Sequence, residues 1–214
     1  MQLVKNITGF LFWVVLLVFS VYFFFNNVWA FLYGYRSDTF GNSLFNNKLW
    51  FVVHLVGGTM ALFVGPVQFW KWFRNRYVYL HRFLGKVYML GCFLVALSSL
   101  RLSLVSHCGP CRISLLITAV LLLFATGAAW FTVRQRNFKA HRQFMVRSYV
   151  LILAFVLVRI DGLFSLQFLF GEIKDPTFRR VVNEFFFSFF PLIVAEVFLT
   201  WVPNLRSRLS VVKK

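Results

Sequence analysis

The chain has almost no acid, and long parts of it carry no charge at all. Only six of its 214 residues are Asp or Glu, against 23 Lys or Arg. Residues 6–35, 49–70 and 113–133 contain no Lys, Arg, Asp or Glu. The sequence also lacks a P-loop, a GxSxG elbow, an HExxH pair and a pair of catalytic acids, which removes the usual signatures of kinases and hydrolases. No linker or low-complexity tract interrupts it, and the longest loop, 34–47, is too short to fold alone. Function therefore has to lie in the apolar segments or at their rims.

What is present is hydrocarbon. The chain is 60% hydrophobic, with 30 Phe and a mean hydropathy of +0.74. Soluble domains average about 45–50% apolar. Each uncharged run can cross a bilayer core of about 30 Å, which takes ~20 helical residues. Shorter runs become spans once their flanking charges snorkel, as Lys86 and Arg101 do around 87–100. A fifth run opens at Arg147 and holds Arg159 and Asp161; a sixth holds Glu184 and Glu196. The expected fold is all-α: a six-transmembrane-helix bundle forming one polytopic membrane domain over 1–214. Its spans fall near 8–30, 49–70, 82–104, 113–133, 144–170 and 181–202. The first run is too long for the core of a typical signal peptide and is expected to remain as an anchor.

A net charge of +17 suggests nucleic acid until its distribution is examined. Alternate connecting segments hold Lys5, then Lys71, Arg74, Arg76, Arg82 and Lys86, then Arg134, Arg136, Lys139, Arg142 and Arg147, then Arg206, Arg208, Lys213 and Lys214, with no acid among them. The opposite side holds Arg36, Lys48, Arg101, Arg112, Lys174, Arg179 and Arg180, with Asp38, Glu172 and Asp175. This asymmetry follows the positive-inside rule. It places both termini in the cytoplasm and the chain in the inner (cytoplasmic) membrane. It also predicts attraction of anionic lipid head groups to the inner face and gives no support to a nucleic-acid partner.

Two segments echo each other. HRFLGKVY begins at His81 and HRQFMVRSY at His141, 60 residues on. Both open spans running in the same direction, so the hairpin between them reads as a duplicated unit. His81 and His141 then lie at one depth, at the cytoplasmic ends of parallel helices. Two imidazoles so placed can hold a haem b iron, with Arg82, Arg142 and Arg147 meeting propionates. The same cluster can hold a phosphate, a lipid head group or a quinone. Interfacial anchoring is the plainer alternative.

His54 enters from the other side, roughly 9 Å beyond Lys48 at the helical rise. Gly57, Gly58 and Ala61 give its helix a face that a neighbouring backbone can approach, and His54 is expected on that face, pointing inward. Arg159, Asp161 and Glu184 are its candidate partners, in a structural hydrogen bond or in a ligand or proton-handling role. Gly65-Pro66 frees a backbone carbonyl near the inner end. Glu196 is expected either to orient one of the rim histidines or to pair with Arg82 or Arg142. Cys108-Gly-Pro-Cys111 has the spacing of a redox dithiol, but no strand-helix context surrounds it. It reads first as a local, dispensable disulfide on the oxidising side.

His54-x3-Gly58, ALFVGPVQF (61–69), HRFLGKVY (81–88), HRQFMVRSY (141–149) and Arg159 together resemble a widespread bacterial family of predicted membrane proteins, a domain of unknown function. The resemblance spans 48–159. It implies a multi-helix membrane bundle and no particular activity.

The candidate site residues are thus His54, His81, His141, Arg82, Arg142, Arg147 and Arg159. The leading active reading is a b-type cytochrome-like or quinone-linked redox module. The alternatives are an accessory or assembly subunit packed against partner subunits of a larger membrane complex, or a small transporter using His54 as a proton site.

Overall fold

The structure is a computed structural model; it describes residues 2–29, 31, 33, 43–106, 108–158 and 167–212. Helix α1 spans Gln2–Phe23 and continues as a π-helix, Phe24–Trp29. Then follow α2 (Ser43–Phe69), α3 (Lys71–Arg76), α4 (Val78–Val105), α5 (Cys111–Arg134), α6 (Phe138–Leu157), α7 (Gln167–Phe170) and α8 (Pro176–Glu196). A second π-helical turn, Val197–Trp201, joins α8 to α9 (Val202–Val212).

The protein is an all-α, multi-pass membrane protein, and no strand occurs among the described residues. Among the described residues, five helical stretches are long and apolar enough to cross a bilayer: Asn47–Phe69, Val78–Val105, Cys111–Arg134, Phe138–Leu157 and Pro176–Leu209. A shorter apolar stretch, Trp13–Asn26, lies in α1.

Several helix ends differ from the hydropathy boundaries because caps set them. Asn137 accepts from the Ala140 N–H at 3.1 Å, which starts α6 six residues before the apolar run. Asp175 accepts from the N–H groups of Thr177 and Phe178, with Pro176 in the first turn, which starts α8 early. Between α5 and α6, Arg136 takes φ 59°. Its N–H bonds Val133 O and the Asn137 N–H bonds Thr132 O, the paired bonds of a Schellman turn.

Helices α2, α4, α5 and α6 form a ring in which each packs on the next and α6 returns to α2. Helix α1 lies against α2 and α6, and α8 against α6 and α5. On α4 the logic of a soluble helix is reversed. Leu90, Leu97 and Leu104 face outward at heptad spacing, while Tyr88, Gly91, Cys92, Ser98 and Ser103 are buried. Lipid is as apolar as leucine, so small and polar side chains are what the interior selects. The α2–α4 contact sets backbone against backbone: a Cβ on Gly57 would stand 2.8 Å from the Gly91 carbonyl oxygen, and one on Gly91 2.8 Å from the Gly57 oxygen. At one end of the bundle Trp70, Trp72, Tyr77 and Tyr79 are exposed beside Arg74 and Arg76, the composition of a membrane–water interface.

Candidate functional site

The Gly57–Gly91 contact seats the next turn of α2 directly on α4. There His54, 8% exposed, meets two serines: Nδ1 lies 3.1 Å from Ser99 Oγ and 3.3 Å from Ser98 Oγ. Ser98 donates its one proton to a backbone carbonyl, Leu94 O at 2.6 Å. Its oxygen can therefore only accept from the imidazole, which puts the ring proton on Nδ1 and leaves Nε2 as an acceptor. The Phe155 ring of α6 packs on the imidazole with centroids 4.6 Å apart.

His54 forms part of the wall of a partly open cavity of about 150 Å³ lined by residues of α1, α2, α4, α5 and α6. Phe23, Phe51, Leu62, Val95, Leu102 and Ile152 make it apolar; Thr59, Ser99 and Ser103 add hydroxyls near the imidazole. Thr59 and Ser103 spend their protons on their own helices, at Leu55 O and Leu100 O. His54 and Ser99 are thus the groups left to address an occupant.

A smaller cavity of about 50 Å³ adjoins it, lined by Cys108, Cys111, Thr118, Arg180, Glu184 and Ser188. Cys108 and Cys111 form a disulfide with Cα atoms 5.2 Å apart. Leu115 and Phe155 line both cavities. Glu184, expected as a partner of His54, stands in this second cavity, and the imidazole's partners are Ser98 and Ser99. Arg159 and Asp161 lie outside the described residues. The serine pair was visible in the apolar run LVALSSL, but only the α2–α4 contact says which residue of α2 it meets.

The other end of the bundle brings the remaining motifs together. Tyr149 donates its hydroxyl to Leu62 O at 3.3 Å, and its ring occupies the space that a side chain at Gly65 would need. Gln68 packs over Gly85, where a Cβ would lie 3.3 Å from Gln68 Oε1. Gln68 is 5% exposed, and its Nε2 is buried without a hydrogen-bond partner. One turn before Gly85, on the same face of α4, His81 also buries an unpartnered Nδ1. His81 lies within electrostatic range of His141, Arg74 and Arg82. His141 Nδ1 is 2.9 Å from Ala129 O. A carbonyl only accepts, so Nδ1 carries the proton and Nε2 keeps its lone pair.

Tyr88 and Ser148, also 60 positions apart, meet at 2.8 Å. Helices α4 and α6 thus face each other across the ring in the register of the sequence echo. Arg82 and Arg142 are exposed. Arg147 is committed elsewhere: its Nε donates to Glu196 Oε2 at 2.8 Å, a second nitrogen lies 2.6 Å from the same oxygen, and Thr200 Oγ1 is 3.0 Å away. The expected pairing of Glu196 with Arg82 or Arg142 is therefore corrected. Glu196 pairs with Arg147 and ties α6 to α8, because α8 packs on the face of α6 that carries Arg147.

No curated protein and no solved structure matches the chain. A family model does, over residues 51–199, which include the GPVQF segment, both His-Arg motifs and the Arg147–Glu196 pair. On that match the chain belongs to the DUF2306 family, described as predicted membrane proteins.

Proposed function

We propose that this protein is a quinone-linked redox module of the cytoplasmic membrane, with its basic segments and both termini on the cytoplasmic side. One observation carries the reading: a buried imidazole on the wall of an apolar cavity inside the bundle, backed by a serine whose hydroxyl can turn. A cavity of about 150 Å³ lined by Leu, Ile and Phe accommodates a single six-membered ring such as benzene. That suits a monocyclic benzoquinone head. Nε2 of His54 accepts the O–H of a quinol. When Ser99 turns to donate to Nδ1, in exchange for the Ser98 contact, the other tautomer presents an N–H to a quinone carbonyl. The site thereby serves both oxidation states without placing a charge in hydrocarbon.

The test is equilibrium binding of a short-chain benzoquinone to the detergent-purified protein. Binding should weaken about tenfold in His54→Ala, the loss of one hydrogen bond of about 1.4 kcal/mol, and stay unchanged in His81→Ala. No binding by the wild type, or equal binding by His54→Ala, refutes the reading.

The other end supports a second redox element, a haem b held by His81 and His141. A ligating histidine characteristically gives its other N–H to a carbonyl or carboxylate, and the His141 Nδ1 contact with Ala129 O is of that kind. Exposed Arg82 and Arg142 stand ready for propionates. A dithionite-reduced spectrum should show sharp haem bands that vanish in His81→Ala and His141→Ala and persist in His54→Ala. A featureless spectrum of protein isolated from haem-supplemented cells rejects the haem.

A further inference from the structure

The two cavities share a wall, and the disulfide sits on its far side. Phe155 packs against His54 with its ring tilted by 60° and also lines the disulfide cavity. Leu115, one turn beyond Cys111, lines both. Along α4, Ser103 faces the first cavity and Ser106 the second, a rise of about 4.5 Å. The cysteines are also unequal. Cys108 is half-buried on the turn before α5, and Cys111 is buried at the first residue of that helix. Thiol–disulfide exchange depends on access and on which sulfur is attacked, and Cys108 is the more accessible residue of the two. Arg180 and Glu184 line the same cavity.

We propose that Cys108–Cys111 is a redox-active pair, reduced through Cys108 by an external dithiol and reoxidised by the quinone bound beside His54. The proposal rests on the quinone reading above and supplies its electron donor. In the first half, a thiolate of the external dithiol attacks Cys108 Sγ. The Cys108–Cys111 bond breaks, and Cys111 leaves as a thiolate. The donor's second thiolate then attacks its own partner sulfur in the mixed disulfide, closing the donor disulfide and releasing Cys108. In the second half, two thiols and one quinone become one disulfide and one quinol, so two electrons and two protons pass to the quinone oxygens. The electrons cross the wall that Phe155 and Leu115 share between the cavities. The thiols release two protons and the quinone oxygens take up two. One is relayed by His54, whose Nε2 gives a proton to the nearer oxygen while Nδ1 takes one from Ser99, which recovers a proton released by the thiols. The proposal departs from the expectation of a dispensable loop because the disulfide lines a cavity that adjoins that of His54.

The experiment uses the full chain in detergent, reduced with dithiothreitol and desalted without oxygen. A fully substituted short-chain benzoquinone is added, so that thiols cannot add to its ring. Free thiols are counted by maleimide mass tagging and quinol by absorbance. One quinol should form per chain as Cys108 and Cys111 lose their thiols, with Cys92 unchanged. His54→Ala should slow this about 100-fold, the lower range for a positioned proton donor, while diamide still closes its disulfide at the wild-type rate. Alkylating Cys108 in the reduced wild type should abolish quinol formation without any substitution in the fold. Quinone that binds while the thiols stay reduced overturns this inference and leaves the quinone reading intact. Equal rates in wild type and His54→Ala overturn the coupling. Absence of quinone binding overturns both.

Discussion

The hydroxyl of Tyr149 donates to the carbonyl of Leu62, the one carbonyl in α2 that Pro66, four residues on, cannot serve. Proline has no N–H to complete the i to i−4 bond, and Gly65 beside it clears the space for the tyrosine ring. The GPVQF and HRQFMVRSY segments are therefore halves of one contact. Tyr149→Phe should lower stability by about 1–3 kcal/mol, the cost of an unpaired carbonyl in an apolar setting. Pro66→Ala should recover much of that loss in the Tyr149→Phe background, because alanine restores the missing donor. Gly65→Ala should cost about 1–3 kcal/mol by overpacking against the ring. Thermal unfolding in one detergent measures all of these. If Pro66→Ala harms the Tyr149→Phe protein as much as the wild type, the shared carbonyl is not the link.

Neighbouring glycines in α2 should respond oppositely. A Cβ at Gly57 meets the Gly91 carbonyl oxygen and Leu94 Cβ at 2.8 Å, whereas one at Gly58 meets only Val95 Cγ2 at 3.8 Å. Gly57→Ala should force α2 from α4 and cost about 2 kcal/mol or more. Gly58→Ala should be neutral or gain about 0.5 kcal/mol from helix propensity. Equal losses at the two positions would contradict the backbone contact.

Arg136 closes the α5–α6 turn at φ 59°, a conformation in which glycine carries no Cβ penalty. Arg136→Gly should raise stability by about 0.5–1 kcal/mol and leave quinone binding unchanged. A lower midpoint would mean that the guanidinium makes a contact worth more than the relief of the backbone.

The charge asymmetry predicts sidedness. Asn75→Cys and Gln135→Cys, each in a background with Cys108 and Cys111 replaced by Ser, should resist a membrane-impermeant maleimide added to intact cells and react after permeabilisation. Labelling of either position from outside reverses the proposed topology.

Much of this fold is written in the sequence as hydropathy, and some of the site as spacing. The uncharged run 113–133 and all but the last residue of 49–70 lie within long apolar helices, whereas 6–35 holds only the shorter apolar stretch Trp13–Asn26, and the 60-residue echo reappears as Tyr88 against Ser148. The small face of α2 lies where glycine spacing put it, against Gly91. Hydropathy is blind to caps, so the starts set by Asn137 and Asp175 were missed by several residues. Pairing across helices was harder still. Ser98 and Ser99 became the partners of His54 because the Gly57–Gly91 contact sets the rotation of α4, a tertiary choice that no periodicity states. Arg147 found Glu196 for the same reason, through the packing of α8 on α6.

The Tyr88–Ser148 bond acts as a shear pin. Ser148 gives its proton to Met145 O, so Tyr88 is the donor, and its hydroxyl is wholly shut away at the centre of the four-helix ring. If α4 slipped past α6 by a turn, that hydroxyl would be stranded in oil at about 1–3 kcal/mol. The load is thereby shifted outward. Of the helices outside the ring, α1 lends Phe23 to the wall of the larger cavity and α8 lends it no residue, so the guest proposed above would pass by movement of α1 against a frame that does not slide.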